Sequence, residues 1–411
     1  MTTDGKTTTT PDAPAERLGA RARLTRFGRH GATALALGVG LLLTGCAAPG
    51  AEATSANEAA TSTSSGNANT AEVVAAADAF LDTLSEEQRQ AVVYDFADEA
   101  KATGWSNFPV TFVERNGISL SDLDEEQEKA ALAVMEAALS EEGYRELLDI
   151  RAADAYLDAN QDDTSGSAPE GQAPDGRTPD GQGPGGEEPP EGGGGPGGGD
   201  LAFGEDLYHI AFFGEPSETE QFMVQYGGHH AAYNITYEGD DVSLSPTLTG
   251  TEPMEFEYEG ESYAPLEDKR SGALEAVASL SGEQLARAEI ENEGDDLVLG
   301  PGEDGPFPEE EGILVSDLDQ EQQDKVTEML RAWVGDLDEE AAEALVDKYV
   351  SEYGQTYLSW SGSTEPDEVG TYIRLDGPSA WIEYSNQPGV ETDQVHQHTM
   401  FRDQTADYGW E

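Results

Sequence analysis

Cysteine is all but missing from this chain, with one residue, Cys46, in 411. A single thiol excludes a disulfide framework within the chain and any zinc site built on several cysteines. Cations are scarce too. Lys and Arg total 21 against 84 Asp and Glu, for a net charge of −63. Nucleic-acid binding requires clustered positive charge along a phosphate backbone, and that class is excluded. Docking onto anionic lipid through a basic patch is disfavoured on the same ground. Also absent are GxSxG, a Walker loop, CxxC, HExxH and a GxGxxG following a strand, which argues against the common hydrolases and nucleotide enzymes. What is present suffices for a core: 12 Phe, 15 Tyr and 5 Trp within an apolar fraction of 37%.

The lone cysteine makes sense of the N-terminus. Arg17, Arg21, Arg23, Arg26 and Arg29 precede an apolar run from Ala32 to Leu43, which ends in Leu43-Thr44-Gly45-Cys46. A charged region, a short apolar region and small residues at the break make an export signal, and the run falls well short of the about 20 residues of a membrane span. Leu-Thr-Gly-Cys resembles the bacterial lipobox, which implies cleavage before Cys46 and acylation of its thiol. The expectation is a signal peptide over 1–45, a flexible tether over 46–70, and an extracytoplasmic protein held to the cell membrane by lipid. Loss of residues 1–45 removes six cations and three anions, leaving −66. Self-repulsion of that size opposes compactness unless salt or cations screen it, so a protein that works in brine, or one that gathers loose divalent ions, is expected, and its stability should rise from dilute buffer to molar salt.

Residues 161–200 hold 14 Gly and 7 Pro. That density cannot bury enough apolar surface to offset chain entropy, and a disordered insert is expected there. The remainder, 71–411, looks internally duplicated. Leu84-Ser85-Glu86-Glu87-Gln88 recurs as Leu280-Ser281-Gly282-Glu283-Gln284, and Gly117 to Gln127 recurs as Gly312 to Gln322. The spacings are 196 and 195 residues, so two copies of one unit, about 71–265 and 266–411, are expected. Both motifs read as helix starts, with a capping Ser or Asp and acids in the first turn. Apolar residues follow at helical spacing, as in Val326, Met329, Leu330 and Trp333.

Each half then turns to strand chemistry, at Leu207–Phe213, Glu220–Tyr226 and Ala231–Tyr237, and again at Thr356–Ser361, Gly370–Leu375 and Ala380–Tyr384. The predicted fold is α+β, two helix-then-antiparallel-hairpin halves related by a pseudo-twofold, with a cleft between them.

Four histidines form two tight pairs, His229-His230 and His396-Gln397-His398, placed by the repeat at corresponding points after the strands of each half. The His-x-His spacing puts both rings on one face of an extended segment. Adjacent residues of a strand point apart, so only one of His229 and His230 joins a site unless the Gly227-Gly228 turn swings both inward. Closure of the halves would gather a transition-metal site, with zinc or copper the foremost candidates. Glu383 and Asp403 are the candidate carboxylates, as ligand or general base, and Arg402 a clamp for a substrate anion. Such a site supports metal-dependent hydrolysis or oxidation. His209, inside an aromatic strand, reads as a core residue. Asp158 to Asp162 begins like a calcium loop but lacks the required Gly and terminal Glu. Two other readings stand beside the metal site. One is a non-catalytic module in which Trp360, Tyr233 and Arg402 hold a small ligand or envelope component; the other is an acidic structural surface protein.

Several ordered motifs carry a resemblance: Phe213-Gly214-Glu215-Pro216-Ser217, Gly228 to Asn234, Ile382 to Asn386, His396 to Asp403 and Asp407-Tyr408-Gly409. Together they resemble the bacterial family known as domain of unknown function 3500, over roughly 71–409. The resemblance implies one long domain, interrupted by the Gly/Pro insert.

Overall fold

In a computed structural model of the chain, residues 68–164, 202–291 and 296–410 are described. The expected signal, Cys46, most of the tether and most of the 161–200 insert lie outside them. All described residues fall in one compact unit. No described helix is long and apolar enough to cross a membrane.

The first half runs α1 (Thr70–Thr83), α2 (Glu86–Val92), β1 (Val93–Tyr94), α3 (Ala100–Thr103), β2 (Ile118–Ser119), α4 (Glu125–Ala138), α5 (Glu141–Thr164), β3 (His209–Phe213), β4 (Phe222–Gly227), β5 (Ala231–Glu238), β6 (Asp241–Ser243), β7 (Thr247–Thr251), β8 (Phe256–Tyr258) and β9 (Glu261–Tyr263). The second runs α6 (Glu267–Ala278), α7 (Gly282–Ala288), β10 (Ile313–Leu314), α8 (Gln320–Val334), α9 (Glu339–Ser351), β11 (Tyr357–Ser361), β12 (Tyr372–Asp376), β13 (Ala380–Pro388) and β14 (Val395–Asp403). The fold is mixed α+β. Helix α5 continues to Thr164, four residues into the segment expected to be disordered.

The helix starts form as their sequences dictate. Ser85 with Gln88, Asp124 with Gln127, Ser281 with Gln284 and Asp319 with Gln322 each close a reciprocal capping box. The capping glutamines also bond to each other within each half, Gln88 to Gln127 at 3.3 Å and Gln284 to Gln322 at 2.9 Å. Gly117 and Gly312, which open the longer motif, both have positive φ and lie against the carbonyls of Ile210 and Leu358, where no Cβ fits.

Twelve of the described strands form one sheet in the order β1-β3-β4-β5-β7-β14-β13-β12-β11-β10, with β2 on β3 and β6 on β5, and β8 and β9 pair separately. Among the described strands the β1–β3 pairing is the parallel one, and an isolated parallel bridge joins Glu289 to Trp360. Each half therefore contributes more than a hairpin. Two meanders meet at the antiparallel pair β7–β14, neither strand of which was among the predicted ones, and Thr247 faces Phe401 there.

Side chains alternate across the sheet. Ile210, Phe212, Val224, Tyr226, Ile235, Ile373, Ile382 and Phe401 face the helices in one continuous core that includes Phe80, Val134, Ile150, Met329 and Trp333. Ala232, Leu248 and Met400 face the other way, under Trp105 and partly buried Leu297 and Tyr408. On the helix side, buried Lys269 of α6 bonds Glu146 of α5, Asp336 beyond α8 and Thr249 of β7. This cluster ties the halves together, and removal of Lys269 would leave two buried carboxylates without their cation.

Candidate metal centre

The loop-covered face carries the histidines. His396 and His398 lie on β14 with both rings on that face, as their spacing predicts, and His398 is in register with Gly250 of β7. His229 and His230 form the turn between β4 and β5, closed by Gly228 N–H donating to the Ala231 carbonyl at 2.9 Å. His230 has φ of 60°, a left-handed conformation that costs a non-glycine residue energy. That conformation brings both rings of the turn inward, stacked with centroids 3.5 Å apart. The His230 carbonyl is anchored by Gly250 N–H at 2.7 Å.

The two pairs do not occupy corresponding places, contrary to the sequence expectation. The turn between β12 and β13 holds Pro378 and Ser379 instead of histidines. There Ser379 donates from N–H and hydroxyl to Glu352, at 3.1 and 2.7 Å. One pair comes from a turn and the other from the middle of a strand, and the bare backbone of Gly250 lets them meet. A Cβ at Gly250 would stand 3.0 Å from His230 Cδ2 and 2.9 Å from His398 Cδ2.

The rings converge closely. His230 Nε2 and His396 Nε2 face each other at 2.6 Å, and the centroids of His396 and His398 are 4.4 Å apart. Ligand atoms of His230, His396 and His398 all lie within 4.8 Å of one another, as do those of Asp154, His229 and His230. All four histidines are buried, His230 completely.

Three carboxylates stand behind them. Asp154 Oδ1 lies 2.7 Å from His229 Nδ1 and also receives Tyr208 through its other oxygen. Both oxygens of Asp296 lie 2.9 Å from His398 Nδ1. Glu252 Oε2 is 3.5 Å from His396 Nδ1, while its Oε1 accepts the N–H groups of Val390, Glu391 and Thr392 at 2.7–2.8 Å. A carboxylate at Nδ1 holds the proton there and leaves Nε2 with its lone pair, the arrangement found behind metal-ligating histidines. Burial, and then the neighbouring histidines, push the His230 and His396 rings well below the usual imidazole range, so both are neutral at pH 7. His230 Nδ1 is buried without a hydrogen-bond partner. Several lone pairs aimed at a common centre repel one another unless a cation sits among them. The residues fit a transition ion bound by nitrogen.

Over the rings opens a cavity of about 430 Å³, lined by Asn107, Phe108, Pro109, Phe112, Phe203, Val390 and Glu391 besides Glu252 and three of the histidines, His229, His396 and His398. Arg115 fixes its wall by donating to the carbonyls of Ser106 at 3.0 Å, Phe108 at 2.5 Å and Gly228 at 2.8 Å. Asn107 Nδ2 approaches His398 Nε2 at 3.4 Å.

The other expected residues lie elsewhere. Glu383 is fully buried and accepts from Val298 N–H, Leu299 N–H, Tyr372 hydroxyl and Trp381 indole, which fastens the 296–300 loop to the sheet. Arg402 points to the same face as His398 but four residues along, roughly 13 Å of strand. It bonds the Leu299 and Gly300 carbonyls, Asp304 and Asp407. Asp403 points to the opposite face and bonds Lys348 and Tyr349 of α9. None of the three joins the histidine cluster, because strand parity or distance separates them from it. Tyr233 lies in the core and Trp360 donates to the Leu285 carbonyl, so these two and Arg402 form no common cleft. His209, partly buried on β3, stands apart from the cluster, and burial pushes its ring down to about 4. Sequence reasoning missed Asp154, Glu252, Asp296 and the Phe108–Phe112 wall. A carboxylate distant in sequence leaves no local signal.

A family model described as protein of unknown function (DUF3500) matches residues 66–410, and the chain belongs to that family. No curated protein and no solved structure matches it.

Proposed function

We propose that this member of the DUF3500 family is an exported lipoprotein, anchored through Cys46, that binds a transition ion with His229, His230, His396 and His398. The observation that carries the metal reading is the set of three carboxylates, Asp154, Glu252 and Asp296, each behind the Nδ1 of a different convergent histidine. Zinc and copper suit neutral imidazole donors best. When bound, such an ion supplies a Lewis acid, or with copper a redox centre, to a molecule in the cavity. The chain's own residues supply the rest. Phe203 packs against the His229 ring, and Asn107 offers an amide beside His398. Glu391 at the mouth, raised in proton affinity by burial and by Glu252, holds or takes a proton at its carboxylate.

Export and anchoring rest on the arginine-rich start, the short apolar run and the position of the only cysteine. Cys46→Ser is expected to abolish incorporation of labelled palmitate and release the protein from membranes; unchanged labelling refutes the anchor. A pseudo-twofold duplication is the reading supported by the mirrored strand order about β7–β14 and the four capping boxes. On it, Glu352 with Ser379 is the metal-free counterpart of Asp154 with the histidine turn.

The metal reading is tested by calorimetric titration of the chelator-stripped mature chain. One equivalent of zinc or copper is expected to bind tightly, and His396→Gln with His398→Gln to weaken binding at least about a hundredfold, with circular dichroism unchanged. A stripped protein that takes up neither ion overturns the reading.

A further inference from the structure

We infer that the cavity above the histidines receives a small uncharged aromatic molecule, ring against the mouth and a nitrogen or oxygen head toward the imidazoles. The placement of the head rests on the metal reading; the aromatic body is argued from the walls alone. Six large apolar side chains among the described residues are more than a third exposed, and three of them gather at this mouth: Phe108 at 57%, Phe112 at 67% and Val390 at 73%. Single exposed apolar residues are ordinary, but a cluster rimming a cavity marks a place where apolar matter binds. The posture is held rather than accidental. Arg115 fastens the Ser106 and Phe108 carbonyls to the Gly228 carbonyl, and Glu252 fastens Val390.

Size and charge narrow the occupant. A cavity of 430 Å³ lies within the about 300–1,000 Å³ of small-molecule sites. Glu252 and Glu391 line it, Asp296 stands beside His398, and the whole chain carries −63. An anion meets a field of its own sign there. A cation is drawn inward but must shed its water against Phe108, Pro109, Phe112, Phe203 and Val390. An uncharged ring such as a phenol, aryl alcohol or aryl azole meets neither cost.

The test titrates the mature chain at pH 8, with and without one equivalent of zinc, using imidazole, 4-phenylimidazole and 4-phenylimidazole bearing a para-carboxylate. The phenyl group is expected to tighten binding at least about tenfold over imidazole, and the added carboxylate to cancel that gain. Phe108→Ser with Phe112→Ser, both on exposed side chains, is expected to cut the gain below about threefold, with zinc affinity and melting temperature unchanged. Equal affinity for imidazole and 4-phenylimidazole overturns the inference, as does a gain that survives in the serine variant or in the carboxylate probe. Zinc binding without a phenyl gain sinks this inference alone. A phenyl gain in a protein that binds no zinc, lost in the serine variant, supports the aromatic pocket and sinks the metal reading instead.

Discussion

Replacement of Gly250 by alanine adds one methyl group at the point where the two histidine pairs meet. Gly250 is the penultimate residue of β7 and its φ is not in the left-handed region, so the backbone itself accepts alanine. The added carbon would stand 2.9 Å from His398 Cδ2, 3.0 Å from His230 Cδ2 and 2.9 Å from the Gln397 carbonyl oxygen. Carbon atoms rest at about 3.5–4.0 Å, so each ring must retreat by roughly 0.5–1 Å. Zinc–nitrogen bonds tolerate only about 0.2 Å, so a ring displaced that far no longer serves as a ligand. The expected outcome is a loss of about 1–3 kcal/mol of stability to overpacking, together with a zinc affinity weakened by at least about tenfold. Calorimetric titration and urea denaturation read the two effects separately. Gly282→Ala is the control, because nothing lies within 4 Å of its added carbon at the start of α7; it is expected to leave zinc binding alone and to raise stability by up to about 1 kcal/mol. A Gly250→Ala protein that binds zinc like the wild type refutes the convergence of these rings on one ion.

Two further outcomes follow from other buried groups. Asp154→Asn removes the charge behind His229 while keeping the shape that meets Tyr208, and is expected to weaken zinc binding by about 10–100-fold in the same titration; unchanged affinity would show that Asp154 does no more than pack. Asp376 is buried with both carboxylate oxygens lacking hydrogen-bond partners, and burial pushes it up to about 7 despite nearby Arg374. The native state therefore keeps a proton that the unfolded chain releases above its ordinary 3.8, so this group's contribution to stability falls as pH rises from about 4 to 7. Asp376→Asn escapes that fall. It is expected to gain up to about 4 kcal/mol relative to wild type between pH 4 and pH 8, read by urea denaturation at both values; a difference that does not change with pH counts against the assignment.

Much of this arrangement was legible in the order of residues because it depends on neighbours. Ser or Asp followed three residues later by Gln specifies a capping box, and all four form where the sequence places them. The strands β3, β4, β5, β11, β12 and β13 begin within two residues of their predicted starts, since alternating aromatic and β-branched residues mark a half-buried surface. His-x-His predicted a shared face, and β14 provides it. The central strand β7, Thr-Leu-Thr-Gly-Thr between Pro246 and Pro253, carries little apolar alternation and gave no strand signal. Its pairing with β14 is a contact over 150 residues, invisible to any local pattern. For the same reason Glu383 drew attention by its place on a predicted strand and Asp403 by its nearness in sequence to His398, whereas Asp154, Glu252 and Asp296 are supplied by the fold. The inward swing of both His229 and His230 depended on a left-handed backbone at a histidine, a conformation no sequence rule assigns to that residue.

Glu252 joins the loop at the mouth of the cavity to a ring on its floor. One of its oxygens gathers three successive N–H groups of the 390–392 loop at the mouth, and the other faces the ring of His396 on the floor. On the proposed reading, a guest that shifts Val390 would tug on the same carboxylate that faces His396, and an ion that draws His396 forward would reset the loop. By reciprocity, whatever free energy the guest adds to ion binding, the ion returns to guest binding. Entry at the rim and capture at the floor are two ends of one lever.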